Sequence, residues 1–304
     1  MLPTVDSRAA LIIAHPSHEL RVHGWLERAR PLTFVLTDGG GREAVPRIDA
    51  TTTVLKNVGA RPGALYGALT DLGLYRSILE QDFDVFIGMA DQLAGALVAE
   101  QIDYVAGDAE EGYSSAHDLC RILIDAAIEI ARRKYEHAIE NFDFLVIAAP
   151  EPAGASIDAI WIHLDEGEFI RKVTAARAYN PRIAADIEAA LRGEPFQGIR
   201  SFSEPQLEGT VDEALIRRTL AMIETLPSLK QRVSAVLGGI DLGAFKVECL
   251  RSMSGNTSRD QEEPRYFELY GEKLVEAGRY PDVIRYRQHL APIKDALWRH
   301  VESK

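Results

Sequence analysis

The chain reads as an α/β protein: a Rossmann-like, mainly parallel sheet with helices on both faces and a mainly helical C-terminal extension. Two observations predict it. Short, continuously apolar runs alternate with longer amphipathic segments through the first half of the 304 residues, the pattern of parallel βα units. After residue 193 the strand-like runs give way to segments of helical spacing. The expected division is a Rossmann-like domain over 1–195 and a helical extension over 196–304.

Five runs predict strands: 9–14 "AALIIA", 31–37 "PLTFVLT", 102–106 "IDYVA", 143–149 "FDFLVIA" and 157–164 "IDAIWIHL". Their apolarity is unbroken, as expected of strands covered on both faces. Helical spacing between them covers 45–58, 71–81, 84–100 and 116–140, the last with Leu119, Ile122, Leu123, Ala126 and Ile130 on one side. Ser114 or Ser115 is placed to cap that helix. Downstream, 211–226, 267–277 and 281–301 read as helices, and the polar stretch 252–264 as a loop.

Composition narrows the function classes. A net charge of −12 without a basic block argues against nucleic acid and anionic membranes as partners. Cys120 and Cys249 suggest no disulfide framework, and no apolar stretch approaches a membrane span. These features predict a soluble cytoplasmic protein acting on a small molecule, and they permit an oligomer. Gly39-Gly40-Gly41 follows the second strand, but neither a dinucleotide fingerprint nor a P-loop is present.

In open parallel sheets, ligands bind on the loops beyond the strand C-termini. The loop after the first strand is "HPSHE", with His15 and His18 three residues apart and Pro16 stiffening the turn. A second such loop, "GDAEEGYSSAHDLCR" (107–121), opens a helix and carries His117 and Asp118 with Asp108, Glu110 and Glu111 nearby. Two post-strand loops bearing histidine point to a shared metal site formed by His15, His18 and either His117 or Asp118. Zn²⁺ suits both sets, and Fe²⁺ suits them with open positions. Arg171, Lys172 and Arg177 are cations that an acidic substrate could meet, although a solvent-facing helix surface explains them as well. Arg285, Tyr286 and His289 read as helix-surface packing, and His23, His137, His163 and His300 as structural or exposed residues.

Taken together, "AHPSHE", "LTDGGGRE" (36–43), "GYSSAHD" and "EGEFIRKVTAARAY" (166–179) resemble, in order and spacing, the LmbE/PIG-L family of zinc-dependent N-deacetylases. The resemblance spans roughly residues 9–180. Its first motif, AHPDDE, implies His15 as a ligand, His18 in place of the ligand Asp, and Ser17 in place of the general base. Its second, HPDH, implies Asp118 as the third ligand in a gapless match, or His117 after a one-residue slip. The implied activity is metal-dependent hydrolysis of an amide C–N bond, with de-N-acylation of an amino sugar, glycoconjugate or related polar metabolite as the expected reaction. An alcohol cannot replace a carboxylate base, so Asp38, Glu110, Glu111 or the non-ligand member of His117/Asp118 stands as its substitute. The rival expectation is a non-hydrolytic binding or assembly subunit in glycan or natural-product biosynthesis, or altered chemistry at another metal.

Overall fold

The computed structural model describes residues 7–41, 45–147, 159–179, 246–253, 264–278 and 280–304. Within them the chain is α/β, built on a mixed, mostly parallel seven-stranded sheet of order β3-β2-β1-β4-β5-β7-β6. The strands are β1 (Ala9–Ile13), β2 (Leu32–Thr37), β3 (Arg61–Leu69), β4 (Tyr104–Asp108), β5 (Glu140–Phe144), β6 (Ala159–His163) and β7 (Val247–Ser252). The first five pair in parallel, whereas β7 lies antiparallel to both β5 and β6.

The unbroken apolarity of β1 reflects two cores. Ala10 and Ile12 join Phe34, Leu36, Phe86, Leu93, Leu123 and Leu297 on one face. Leu11 and Ile13 join Trp25, Leu26, Val35, Leu55, Phe142 and Phe144 on the other. The first face is covered by α3 (Asp71–Glu80), α4 (Phe83–Ala99), α5 (Ser115–Tyr135) and α8 (Ala291–Glu302). The second is covered by α1 (His23–Ala29), α2 (Ile48–Val58) and α6 (Glu166–Tyr179). Helix α7 (Tyr266–Glu276) packs Phe267 onto the first core. No described helix is long and apolar enough to cross a membrane.

Two strands carry no apolar run in sequence. Edge strand β3, "RPGALYGAL", is largely exposed and pairs with β2 through register shifts, so Pro62 and two glycines are tolerated. In β7, "VECLRS", charged residues are buried against specific partners. Glu248 accepts from Lys172 Nζ (2.8 Å) and from the Gly24 and Trp25 amides (2.9 and 2.8 Å). Arg251 makes two 2.6 Å bonds to Asp143. Lys172 is thereby a buried core cation, not a solvent-facing one, while Arg171 pairs at the surface with Glu27.

Strand β5 ends at Phe144, earlier than the apolar run predicts. The buried Glu111 carboxylate takes the next amides, Val146 N at 2.7 Å and Ile147 N at 3.1 Å, in place of a sheet neighbour. The expected hydroxyl cap of α5 is also absent: Ser114 occupies the N-cap position without a side-chain hydrogen bond. The 195/196 boundary and the helix over 211–226 lie outside the described residues, as does most of the loop over 252–264.

Candidate metal centre

Parallel pairing of β1 with β2 and β4 puts the three strand C-termini side by side, and their loops meet there. After β1 the chain enters a 3-10 helix (His18–Val22) through Ser17, which adopts φ 94°. That positive φ is rare for serine and costs of order 1 kcal/mol or more. The turn folds His18 back beside His15, and the first turn of α5 brings in His117. The imidazole centroids form a triangle of 5.5 Å (His15–His18), 5.5 Å (His15–His117) and 4.5 Å (His18–His117).

Hydrogen bonding fixes two of the three rings. The His18 Nδ1 lies 2.8 Å from Asp108 Oδ2, which also accepts from the Ala14 amide at 2.8 Å. Burial pushes the Asp108 carboxyl up to about 6, against the pull of His117 and the Ala14 amide. At neutral pH it is therefore ionised and only accepts, so Nδ1 carries the His18 proton and Nε2 holds a lone pair. The His15 Nδ1 lies 2.8 Å from Thr37 Oγ1 and 3.0 Å from Asp71 Oδ1. Thr37 donates its own proton to the Ala14 carbonyl (3.1 Å), so it accepts from His15. Burial alone would raise the Asp71 carboxyl. The His15 ring and the Gly41 amide win and hold it well below the usual carboxylate range. His15 thus donates from Nδ1 to an ionised carboxylate.

The third ring differs. His117 is fully buried, and neither of its nitrogens has a hydrogen-bond partner; His18 Nε2 is likewise buried and unpartnered. Burial, followed by the charge of the neighbouring imidazoles, pushes both His18 and His117 well below the ordinary histidine value. Both are neutral at physiological pH, the form that binds a metal.

Whether these residues fit a metal can be tested by size. A Zn–N bond of about 2.0–2.1 Å and tetrahedral angles separate the centroids of three bound imidazoles by about 5 Å. The observed triangle brackets that spacing. Carboxylates on the far nitrogens of His15 and His18 match the arrangement that orients metal-bound imidazoles. Among the described residues no group of three or more His, Cys, Asp or Glu side chains is placed so that it could hold a metal ion as it stands. Closing this triangle around an ion therefore requires ring rotation, and His117, which makes no hydrogen bond, is the ring best able to supply it. The residues fit.

The other expected site residues are engaged elsewhere. Asp118 aims away from the triangle: its Oδ1 accepts from the Glu111 and Gly112 amides (3.1 and 3.0 Å), and its Oδ2 pairs with Arg265. Glu110 pairs with the same arginine at 2.7 Å, and Glu111 closes the end of β5. Asp38 accepts from the Gly40 amide at 2.9 Å, shaping the glycine turn. Ser17 is buried with an unpartnered Oγ. Sequence reasoning missed Asp71 and underused Asp108. Asp71 opens α3 after the edge strand β3, which no apolar run announced.

Elsewhere, His137 bonds the Ile102 carbonyl, His300 pairs with Asp91, and His289 accepts from the Arg285 amide. These are packing roles. No protein-family model matches the chain, and a search of curated proteins finds no match.

Proposed function

We propose that this protein binds one divalent transition metal through His15, His18 and His117 and hydrolyses an amide C–N bond, removing an acyl group from an amino sugar or related polar metabolite. The observation that carries the metal reading is the cluster of buried, unpartnered imidazole nitrogens. Each buried polar atom without a partner costs roughly 1–3 kcal/mol, and here His18 and His117 contribute three of them. The reaction class rests on the motif resemblance to the LmbE/PIG-L deacetylases. A metal held by three imidazoles with an open position lowers the pKa of bound water to about 7 and polarises a carbonyl.

The chain's own residues divide the remaining tasks. Asp71 and Asp108 accept from Nδ1 of His15 and His18, which keeps the His18 Nε2 lone pair available. Ser17 stands at the position of the family's base and cannot serve as one, because an alcohol's pKa is far above neutrality. Asp71, depressed far below the usual range, is a weak proton acceptor. The proposed enzyme therefore turns over simple N-acetyl sugars slowly. The weakness of Ser17 and Asp71 as bases favours the second reading, altered chemistry at iron or a binding role, for which three imidazoles are equally suitable.

Elemental analysis of wild type, His18→Ala and His117→Ala tests the metal. About one zinc or iron per chain in wild type, lost in both variants, supports the reading; equal metal in all three refutes it. Turnover of a panel of N-acyl amino sugars by wild type and Ser17→Asp at matched metal loading tests the reaction. Activity raised by the restored carboxylate supports hydrolysis, and none in either protein favours the second reading.

A further inference from the structure

His15 and His18 are each oriented by a carboxylate, but His117 is not, so its placement depends on the backbone that carries it. That backbone is fastened by a distant part of the chain. Arg265, only 5% exposed, reaches back to Glu110 (2.7 Å) and Asp118, and Asp118 holds the Glu111 and Gly112 amides with its other oxygen. Two further contacts join the same segments. The Phe267 amide donates to the Gly112 carbonyl at 3.3 Å, and the Tyr113 and Tyr266 rings stack at 4.9 Å with planes 4° apart. The guanidinium is itself backed by the Tyr286 ring, 3.4 Å below its central carbon.

Asp118 is the covalent neighbour of His117 in the first turn of α5, so any rotation of that turn moves both. Removing the arginine takes away the cation that the two carboxylates share and gives the turn a reason to open toward water. We propose that Arg265 is a positioning residue for His117: through Asp118 and Glu110 it fixes the loop over 108–118 so that the His117 ring faces His15 and His18. The C-terminal part of the chain thereby completes the site, and the metal-affinity arm of this inference rests on the proposed function above.

The test compares full-length wild type, Arg265→Gln and Arg265→Lys, with Arg132→Gln, a surface ion pair at the far end of α5, as the control. Amide hydrogen exchange at Glu111 and Gly112 in metal-free protein reads the clamp. Zinc affinity, by competition with a chromophoric chelator, and the visible spectrum with Co²⁺ read the site. Arg265→Gln is expected to speed exchange at both amides, weaken zinc about tenfold or more and alter the Co²⁺ spectrum. Arg265→Lys recovers part of the affinity, because one ammonium keeps the charge but cannot fork between two carboxylates. Arg132→Gln behaves as wild type. A loss of thermal stability with exchange and affinity unchanged overturns the inference. If Arg265→Gln does not fold, Arg265→Lys and Tyr266→Leu give the same readouts, and wild-type values in both overturn it. A wild type that binds neither zinc nor iron refutes the metal reading, and exchange at the two amides then decides the clamp alone.

Discussion

Asp108 offers the sharpest perturbation of the candidate centre, because one oxygen serves two donors. Its Oδ2 accepts from the Ala14 amide and from His18 Nδ1, both at 2.8 Å, while Oδ1 is buried and unpartnered. Asp108→Asn can place its amide oxygen where Oδ2 stood and keep both hydrogen bonds; it loses the charge and sets an unmet NH2 group at the buried Oδ1 position, at about 1–3 kcal/mol. Asp108→Ala loses both acceptors and leaves two buried donors unmet, at about 1–3 kcal/mol each, or about 2–6 kcal/mol in total. That is a large fraction of the roughly 5–15 kcal/mol that holds a domain folded. For the metal, losing an outer carboxylate on a ligand histidine typically costs 10–100-fold in affinity, about 1.4–2.7 kcal/mol. The expected order is therefore strong zinc binding in wild type, a 10–100-fold loss with a stability loss of about 1–3 kcal/mol in Asp108→Asn, and the larger loss of both in Asp108→Ala. Chelator competition measures the first quantity and urea denaturation the second. Unchanged zinc affinity in Asp108→Asn would refute the claim that the carboxylate's charge tunes His18.

Ser17→Gly removes both a non-glycine residue from φ 94° and a buried unpartnered hydroxyl, so thermal denaturation should show stability raised by about 1 kcal/mol; a loss of that size would mean the hydroxyl has an unrecognised partner. Gly107→Ala would set a Cβ 2.3 Å from Ile124 Cδ1 and 2.7 Å from the Ile12 carbonyl oxygen, between the central strands. Because the backbone cannot yield as a side-chain tip can, it should destabilise by about 1–3 kcal/mol in urea, and a neutral result would contradict the packing of α5 on β4. Burial lowers the pKa of His23, so the unfolded chain takes up its proton first as pH falls. The stability tied to His23 is present above the unfolded histidine value and lost below it, at no more than about 1.4 kcal/mol per pH unit. His23→Leu should consequently lose less stability than wild type between pH 7 and 5, and parallel curves for the two proteins would disprove the linkage.

The sequence by itself determined the alternating α/β architecture, because strands covered on both faces must be apolar throughout, as Ala9–Ile13 and Leu32–Thr37 are. It also determined that the His15/His18 loop and the His117 loop meet, since parallel strands bring their C-terminal ends to one edge. It did not reveal β3 or β7. An exposed edge lacks the two-sided burial that makes a strand legible, and the buried charges of β7 are tolerable only because Lys172, two α1 amides and Asp143 come to meet them. Nor could it say which of His117 and Asp118 faces the other two histidines. Adjacent residues in a helix point about 100° apart, so one faces the strand ends and the other does not, and the sequence carries no mark of which. Tertiary structure decided it: Arg265 and the Glu111 and Gly112 amides claim the carboxylate, and the rotation of the turn that satisfies them points the His117 imidazole at His15 and His18.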